Sequence, residues 1–300
     1  MYTIMKHCTI CPRNCGVNRY HGEKGYCQAG LLPKCALASI HHWEEPPISG
    51  SKGSGTIFFS HCNLKCVFCQ NYDISEKGFG KELSIENLAD VFLSQQRKGV
   101  HNINLVSPTH FIPQIKQALL LAKNKGLSIP IVYNSNGYEK VESLKLLDGL
   151  IDIYLPDLKY ISPEYSATYS FAPNYAEYAK KALLEMKRQQ PNTLFYADGT
   201  LQKGMIVRHL ILPSCYKDSF AVLDWIKQNI GEDTYISILN QYTPMHKAMQ
   251  YKPIARKLMT LEYQKVIQHF FDIGLKNGFM QSKHSATSDY TPLFDLSGLP

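Results

Sequence analysis

Gly55-Thr56-Ile57-Phe58-Phe59-Ser60-His61-Cys62-Asn63-Leu64-Lys65-Cys66-Val67-Phe68-Cys69 is the stretch that decides how the rest of the chain is read. A short β-rich apolar run leads into three cysteines that fall within eight residues. Thiols this close need one centre able to hold them all, and thiolates suit a soft metal or an iron–sulfur cluster. A fourth neighbouring cysteine would complete a closed electron-transfer cluster, but the tight group stops at three. If the centre is a four-iron cluster, one iron stays open, and an open metal position is where substrates bind and react. A zinc site or plain buried thiols are the other readings of the same residues.

The 300 residues suffice for one large domain with a core, or one domain and a small appendage. A formal charge of +7 is spread along the chain rather than gathered in a stripe, so nucleic acid is not an expected partner. Eight of the nine cysteines precede residue 70, and only Cys215 lies downstream. That lopsided, odd-numbered set points to metal binding in a reducing compartment rather than to disulfides. Residues 1–6 lack an apolar signal-type core and no run approaches 18 apolar residues, so a cytoplasmic, non-membrane protein is expected.

Residues 1–53 read as a cysteine-rich extension and linker. Cys8, Cys11, Cys15 and Cys27 sit among Gly, Pro and Arg with almost no apolar periodicity, so a bound zinc or second iron–sulfur cluster is a candidate staple. Reduced, partly buried thiols are the alternative, and Cys35 reads as packing. Residues 39–53, with Glu44-Glu45-Pro46-Pro47, read as a linker wrapping onto the main domain.

From residue 54 to 275 strands and helices alternate. Strands are expected over 54–60, 102–107, 128–134, 151–155, 204–212 and 234–239. Helices are expected over 83–96, 112–122, 138–147, 174–189, 220–228 and 258–273. Such alternation predicts an α/β fold with a mostly parallel sheet, barrel or doubly wound, and a tail over 276–300. Catalytic groups in these folds collect at the C-terminal strand ends. Those ends carry Cys62, Cys66 and Cys69, then Ser107, Thr109 and His110, then Asn134, Asn136 and Gly137, then Asp157 and Lys159, then Arg208 and His209. Along the fifth strand, alternation sends one of Arg208 and His209 inward and the other out.

The CxxxCxxC spacing, with Phe68 before the last cysteine, resembles the cluster motif of the radical S-adenosylmethionine (SAM) enzymes. The wider context through Gln70-Asn71 looks like the PflX-like branch related to pyruvate formate-lyase activating enzymes. The Cys8-Thr9-Ile10-Cys11-Pro12-Arg13-Asn14-Cys15 block, Gln241-Tyr242-Thr243-Pro244, Asn277-Gly278-Phe279 and the stretch from Tyr290 and Thr291 to Asp295 look like the same branch.

That resemblance implies an open (β/α)6 partial TIM barrel. It implies a [4Fe–4S] cluster on Cys62, Cys66 and Cys69 whose free iron binds SAM, and reductive cleavage to a 5′-deoxyadenosyl radical. Phe68, Ser107, Thr109, Asn134, Asn136, Gly137, Asp157 and Arg208 are the expected SAM neighbours. Asp157, Lys159, Arg208, His209 and His110 are the expected catalytic group. An electron donor such as flavodoxin or ferredoxin is implied, and the substrate is a glycyl position on a partner protein, another peptide or a small molecule. Two departures stand out: Ser107-Pro108-Thr109-His110 replaces a glutamate-bearing stretch, and His61 stands where glycine is common. The rival readings are an iron–sulfur electron-transfer or regulatory protein and a zinc-dependent nucleic-acid protein.

Overall fold

A computed structural model describes residues 3–281 and 292–300. Ten strands are formed among them: β1 (Lys34–His41), β2 (Ser54–Phe59), β3 (Lys81–Glu82), β4 (Ile103–Val106), β5 (Ile131–Ser135), β6 (Ile153–Pro156), β7 (Leu194–Phe195), β8 (Leu201–Leu210), β9 (Tyr235–Leu239) and β10 (Gly278–Met280). They join in the order β10-β9-β8-β6-β5-β4-β2-β1-β3, with β7 beside β8. β2, β4, β5, β6, β8, β9 and β10 run parallel and cross the sheet in sequence order. A doubly wound sheet reverses its order midway, whereas a barrel winding does not, so the topology is that of a partial barrel. β1 and β3 run antiparallel at one border and β10 ends the other, which leaves the barrel open.

Alternation along the strands sorts side chains onto two faces. Ile57, Phe59, Ile103, Leu105, Ile131, Tyr133 and Tyr154 join the main core with the surrounding helices. Val132, Ile153, Leu155 and Ile206 form a second cluster on the inner face. The helix Ile85–Arg97 starts where the Ser84 hydroxyl accepts the Asn87 amide at 3.1 Å. It buries Leu88, Ala89 and Phe92, and packs against Ile112–Asn124, whose first turn holds Pro113. Burial of a side chain the size of Leu88 or Phe92 contributes about 1.5–3 kcal/mol.

Three sequence expectations change. Residues 39–53 are not a linker: they continue β1, then form a helical turn, Pro46–Ser49. Ile48 of that turn is fully buried in the inner cluster, and its carbonyl accepts the Asn102 amide group at 2.7 Å. The extension therefore fills the barrel from the N-terminal ends of the strands. Proline and glycine mark a turn but do not report what the turn docks against. The expected strand at 128–134 starts only at Ile131, because the Ser128 and Ile129 amides donate to the Gln96 side chain instead of a ladder. The tail supplies β10 and then returns to β1, where Ala38 N–H donates to Ser297 at 2.9 Å and Leu296 N–H to Ala36 at 3.0 Å. Tyr290 and Thr291 lie outside the described residues. Among the described residues no helix is long and apolar enough to cross a membrane.

Candidate active site

The three-cysteine loop begins as soon as β2 ends. His61 has φ 73°, the left-handed region that glycine adopts freely and histidine only occasionally, which gives the glycine expected there its physical reason. Each sulfur then meets its own polar neighbour. Asn136 Nδ2 donates to Cys62 Sγ at 3.3 Å, Ser170 Oγ lies 3.0 Å from Cys66 Sγ, and Ser75 Oγ lies 3.3 Å from Cys69 Sγ. Burial pushes the Cys62 thiol up to about 12, with Cys66 adding repulsion, and pushes Cys69 up to about 11. The loop thus holds three free thiols that a bound cation would convert to thiolates. No three His, Cys, Asp or Glu side chains among the described residues converge on one metal ion. The donor set fits a cluster, in which each thiolate binds a different iron and the sulfurs accept hydrogen bonds.

Next to this loop lies an array of charged and polar side chains on or just after β5, β6 and β8, joined by Glu44. Asp157 Oδ2 accepts from Lys159 Nζ at 2.5 Å and Asp157 Oδ1 from Arg208 Nε at 3.0 Å. Asp157 and Arg208 also pair as an isolated parallel bridge, so backbone pairing aligns their side chains. Burial alone would raise the Asp157 carboxyl, but Lys159 and Arg208 outweigh it and hold the group below its ordinary value. Burial would lower Arg208, yet Asp157, Glu45 and Glu44 raise it. Arg208 Nη2 donates to Asn134 Oδ1 at 2.6 Å, and Asn134 Nδ2 donates to Glu44 at 3.3 Å. A cavity of about 250 Å³ brings together Phe68, Cys69, Asn134, Asp157, Lys159 and Arg208 from the expected set.

The remaining expected residues stand elsewhere. His209, next to the inward Arg208, points outward, donating through Nδ1 to Leu158 O at 2.7 Å and accepting at Nε2 from the Ser219 hydroxyl at 2.8 Å. Burial holds its imidazole down at about 4, hence neutral. His110 is 1% exposed and donates to Ser60 O at 2.8 Å. Thr109 donates to Glu139 at 2.6 Å within the outer core, away from the cavity. Ser107 has φ 57° and is half-buried. Asn136 reaches the cysteine loop rather than the cavity, bonding Asn63 Oδ1 at 2.8 Å. Gly137 has φ 77°, and a Cβ there would lie 2.2 Å from the Asp157 carbonyl oxygen. Its close approach serves the Asp157 backbone.

Among the N-terminal thiols, Cys8, Cys11 and Cys27 are buried and Cys15 half-buried, all free. Burial pushes Cys11 up to about 12, with Cys27, Cys8 and Cys15 close enough to add to it. Arg13 ties this block to the three-cysteine loop, donating to Asn63 O at 2.9 Å and Phe171 O at 2.7 Å and stacking 3.7 Å over the Tyr26 ring. Cys35 is fully buried in the core.

Sequence reasoning missed Glu44 and Glu45. Glu44 accepts from Asn104 Nδ2 at 3.0 Å and lies 3.4 Å from Arg208 Nη1, inside the barrel. Burial pushes both carboxyls up. The available signal was two adjacent acids before a rigid Pro-Pro pair, which carries no periodicity.

Residues 56–199 match the model of the Radical SAM superfamily. The uncharacterized protein MJ0674 of Methanocaldococcus jannaschii is 32% identical over 278 residues, covering 88% of this chain and 74% of that protein. In structure the chain resembles Streptococcus suis SuiB bound to S-adenosylmethionine (TM-score 0.53, 14% identity), covering 76% of this chain and 50% of that one. The chain thus spans about half the length of SuiB. It also resembles methylornithine synthase PylB (TM-score 0.50, 15% identity), covering 73% of this chain and 62% of that one. At these identities the likenesses speak for the fold. Together with the superfamily model and the three free thiols after β2, the relative sharing a third of its residues leads to one assignment: the chain belongs to the radical SAM superfamily.

Proposed function

We propose that Cys62, Cys66 and Cys69 hold a [4Fe–4S] cluster and that the adjoining cavity takes SAM. The observation that carries this reading is the gathering of Phe68, Cys69, Asn134, Asp157, Lys159 and Arg208 at one cavity beside the cysteine loop. A cluster held by these three thiolates would supply the one-electron reduction by which SAM is cleaved to methionine and a 5′-deoxyadenosyl radical. The chain's own part is binding and orientation. Lys159 and Arg208 give the cavity a positive wall suited to a carboxylate, and Asp157 keeps both cations in place. Phe68, edge-on to Tyr242 at 5.8 Å, supplies an apolar wall. Asn136, Ser170 and Ser75 offer hydrogen bonds to the three sulfurs, an influence on cluster potential. His110 and His209, neutral and buried, act in this reading as positioning groups.

The reading includes an electron donor of the flavodoxin or ferredoxin type, and a substrate that is a glycyl position on a partner, another peptide or a small molecule. Cys8, Cys11, Cys15 and Cys27 are its candidate ligands for an auxiliary zinc or iron–sulfur centre.

Anaerobic reconstitution with iron and sulfide, followed by dithionite and SAM, tests the reading. The expected product is 5′-deoxyadenosine, absent from the Cys66→Ala protein. A full, reducible cluster without that product would favour electron transfer instead.

A further inference from the structure

A second cavity, of about 830 Å³, adjoins the first and shares Glu44 and Arg208 with it. It is bounded by residues 42–51 of the extension and by residues 278–281, so it lies at the open seam of the barrel. Glu45 stands in its wall. This side chain belongs to a residue only 7% exposed, and its Oε2 has no hydrogen-bond partner. The Ser237 hydroxyl supports the same carboxylate.

An unmatched, buried carboxylate oxygen is costly, and a loop free to move would turn it to water. Here the main chain is tied down. Pro46 and Pro47 follow directly, Ile48 is locked in the inner core, and Ser49 and Ile48 amides bond back to the Glu45 carbonyl at 3.1 and 2.8 Å. Nor does Arg208 supply the missing donor. Its Nε goes to Asp157, its Nη2 to Asn134, and its Nη1 lies 3.4 Å from Glu44. Among the described residues that line the cavity, the other charged or titratable groups are Glu44, Asp198 and His42. Glu44 and Glu45 thus share one guanidinium already committed to Asp157 and Asn134, while the exposed Asp198 accepts from Thr200. Trp43 and Phe279 border the same space.

We propose that this cavity is the substrate's place and that Glu45, backed by Glu44, receives a cationic nitrogen of the substrate, an ammonium or guanidinium group. As a statement about substrate it rests on the radical SAM reading. A substrate group that is not a donor would leave the Glu45 oxygen unmatched and a neutral donor would supply the hydrogen bond alone, whereas a cation delivers both the hydrogen bond and the countercharge.

Saturation-transfer NMR on the reconstituted protein, without reductant, tests it with three probes: N-acetyl-lysine amide, its neutral norleucine analogue and cadaverine. Binding of a cationic probe but not of norleucine is expected, weakened about tenfold or more by Glu45→Gln. If that variant does not fold, Ser237→Ala, which removes the support of the carboxylate, is expected to weaken binding in the same direction. A preference for the lysine amide points to a peptide source, and for cadaverine to a free amine. Equal binding of norleucine, or cation binding indifferent to both substitutions, overturns the proposal. Separate measurement of 5′-deoxyadenosine keeps the two readings apart. Cation binding without that product sinks the radical chemistry alone, and product without cation binding sinks this inference alone.

Discussion

Arg208→Met removes the cation shared by Asp157, Glu44 and Glu45, and its consequences can be worked out in some detail. The side chains of Arg208 and Asp157 are each 17% exposed and that of Glu44 is 11% exposed. Removing one partner of a buried pair costs about 3–5 kcal/mol, because the other charge stays behind. Partial exposure and the remaining Lys159 contact place this case near the lower end, about 3 kcal/mol, or roughly 6–12 °C in Tm. The loss depends on pH. Burial already raises Glu44 and Glu45, and without Arg208 they and Asp157 rise further. The folded variant then holds more protons than the unfolded chain, so its stability increases as pH falls. In the wild type, Asp157 is held below its ordinary value and its contribution disappears as pH falls through the folded value. The two stability curves therefore converge as pH falls from neutrality into the carboxylate range, where the variant's raised carboxyls become protonated. Urea unfolding followed by circular dichroism across that range reads the gap, and adding Asp157→Asn to the variant should recover part of it. A gap under about 1 kcal/mol, or one that stays constant with pH, would refute the account of Arg208 as the neutralising centre of the barrel.

Gly137→Ala should cost about 1–3 kcal/mol in thermal or urea unfolding, since its φ of 77° and a 2.2 Å approach to the Asp157 carbonyl leave no room for Cβ; an unchanged melt would count against the geometry. Cys66→Ala should remove the absorbance and iron of the cluster at that loop, leaving only what an auxiliary centre holds, while the apo protein melts within a few degrees of wild type. Cys35→Ser should do the reverse, keeping iron but losing about 1–3 kcal/mol by placing a hydroxyl in an apolar core, and loss of iron there would argue that Cys35 is a ligand. Burial pushes the Glu139 carboxyl up to about 7, so its favourable contribution is complete at low pH and is lost as pH rises through that value. Glu139→Gln should match wild type near pH 4 and exceed it by on the order of 2 kcal/mol near pH 8, and parallel curves would contradict the shift.

What the sequence determined by itself was local. Six strands and most of the helices between them were legible because the parallel sheet demands apolar runs and its helices demand a 3.6-residue apolar period, whereas the short helix Pro163–Ser170 was not read. The cysteine loop was legible because a cluster's ligands come from one short segment, so their spacing is a chemical constraint written in consecutive residues. The inward direction of Arg208 and the outward direction of His209 were only half legible. Alternation says that neighbours part, and the pairing of Asp157 with Arg208 decides which faces the cavity. The tertiary structure bears out the barrel that the resemblance implied and that periodicity could not separate from a doubly wound sheet, since strand order is a property of pairing between distant segments. It alone turned Glu44 and Glu45 from linker residues into lining of the barrel. Their carboxylates meet Asn104, Asn134, Arg208 and Ser237 from four different strands, and no local pattern encodes contacts across such separations.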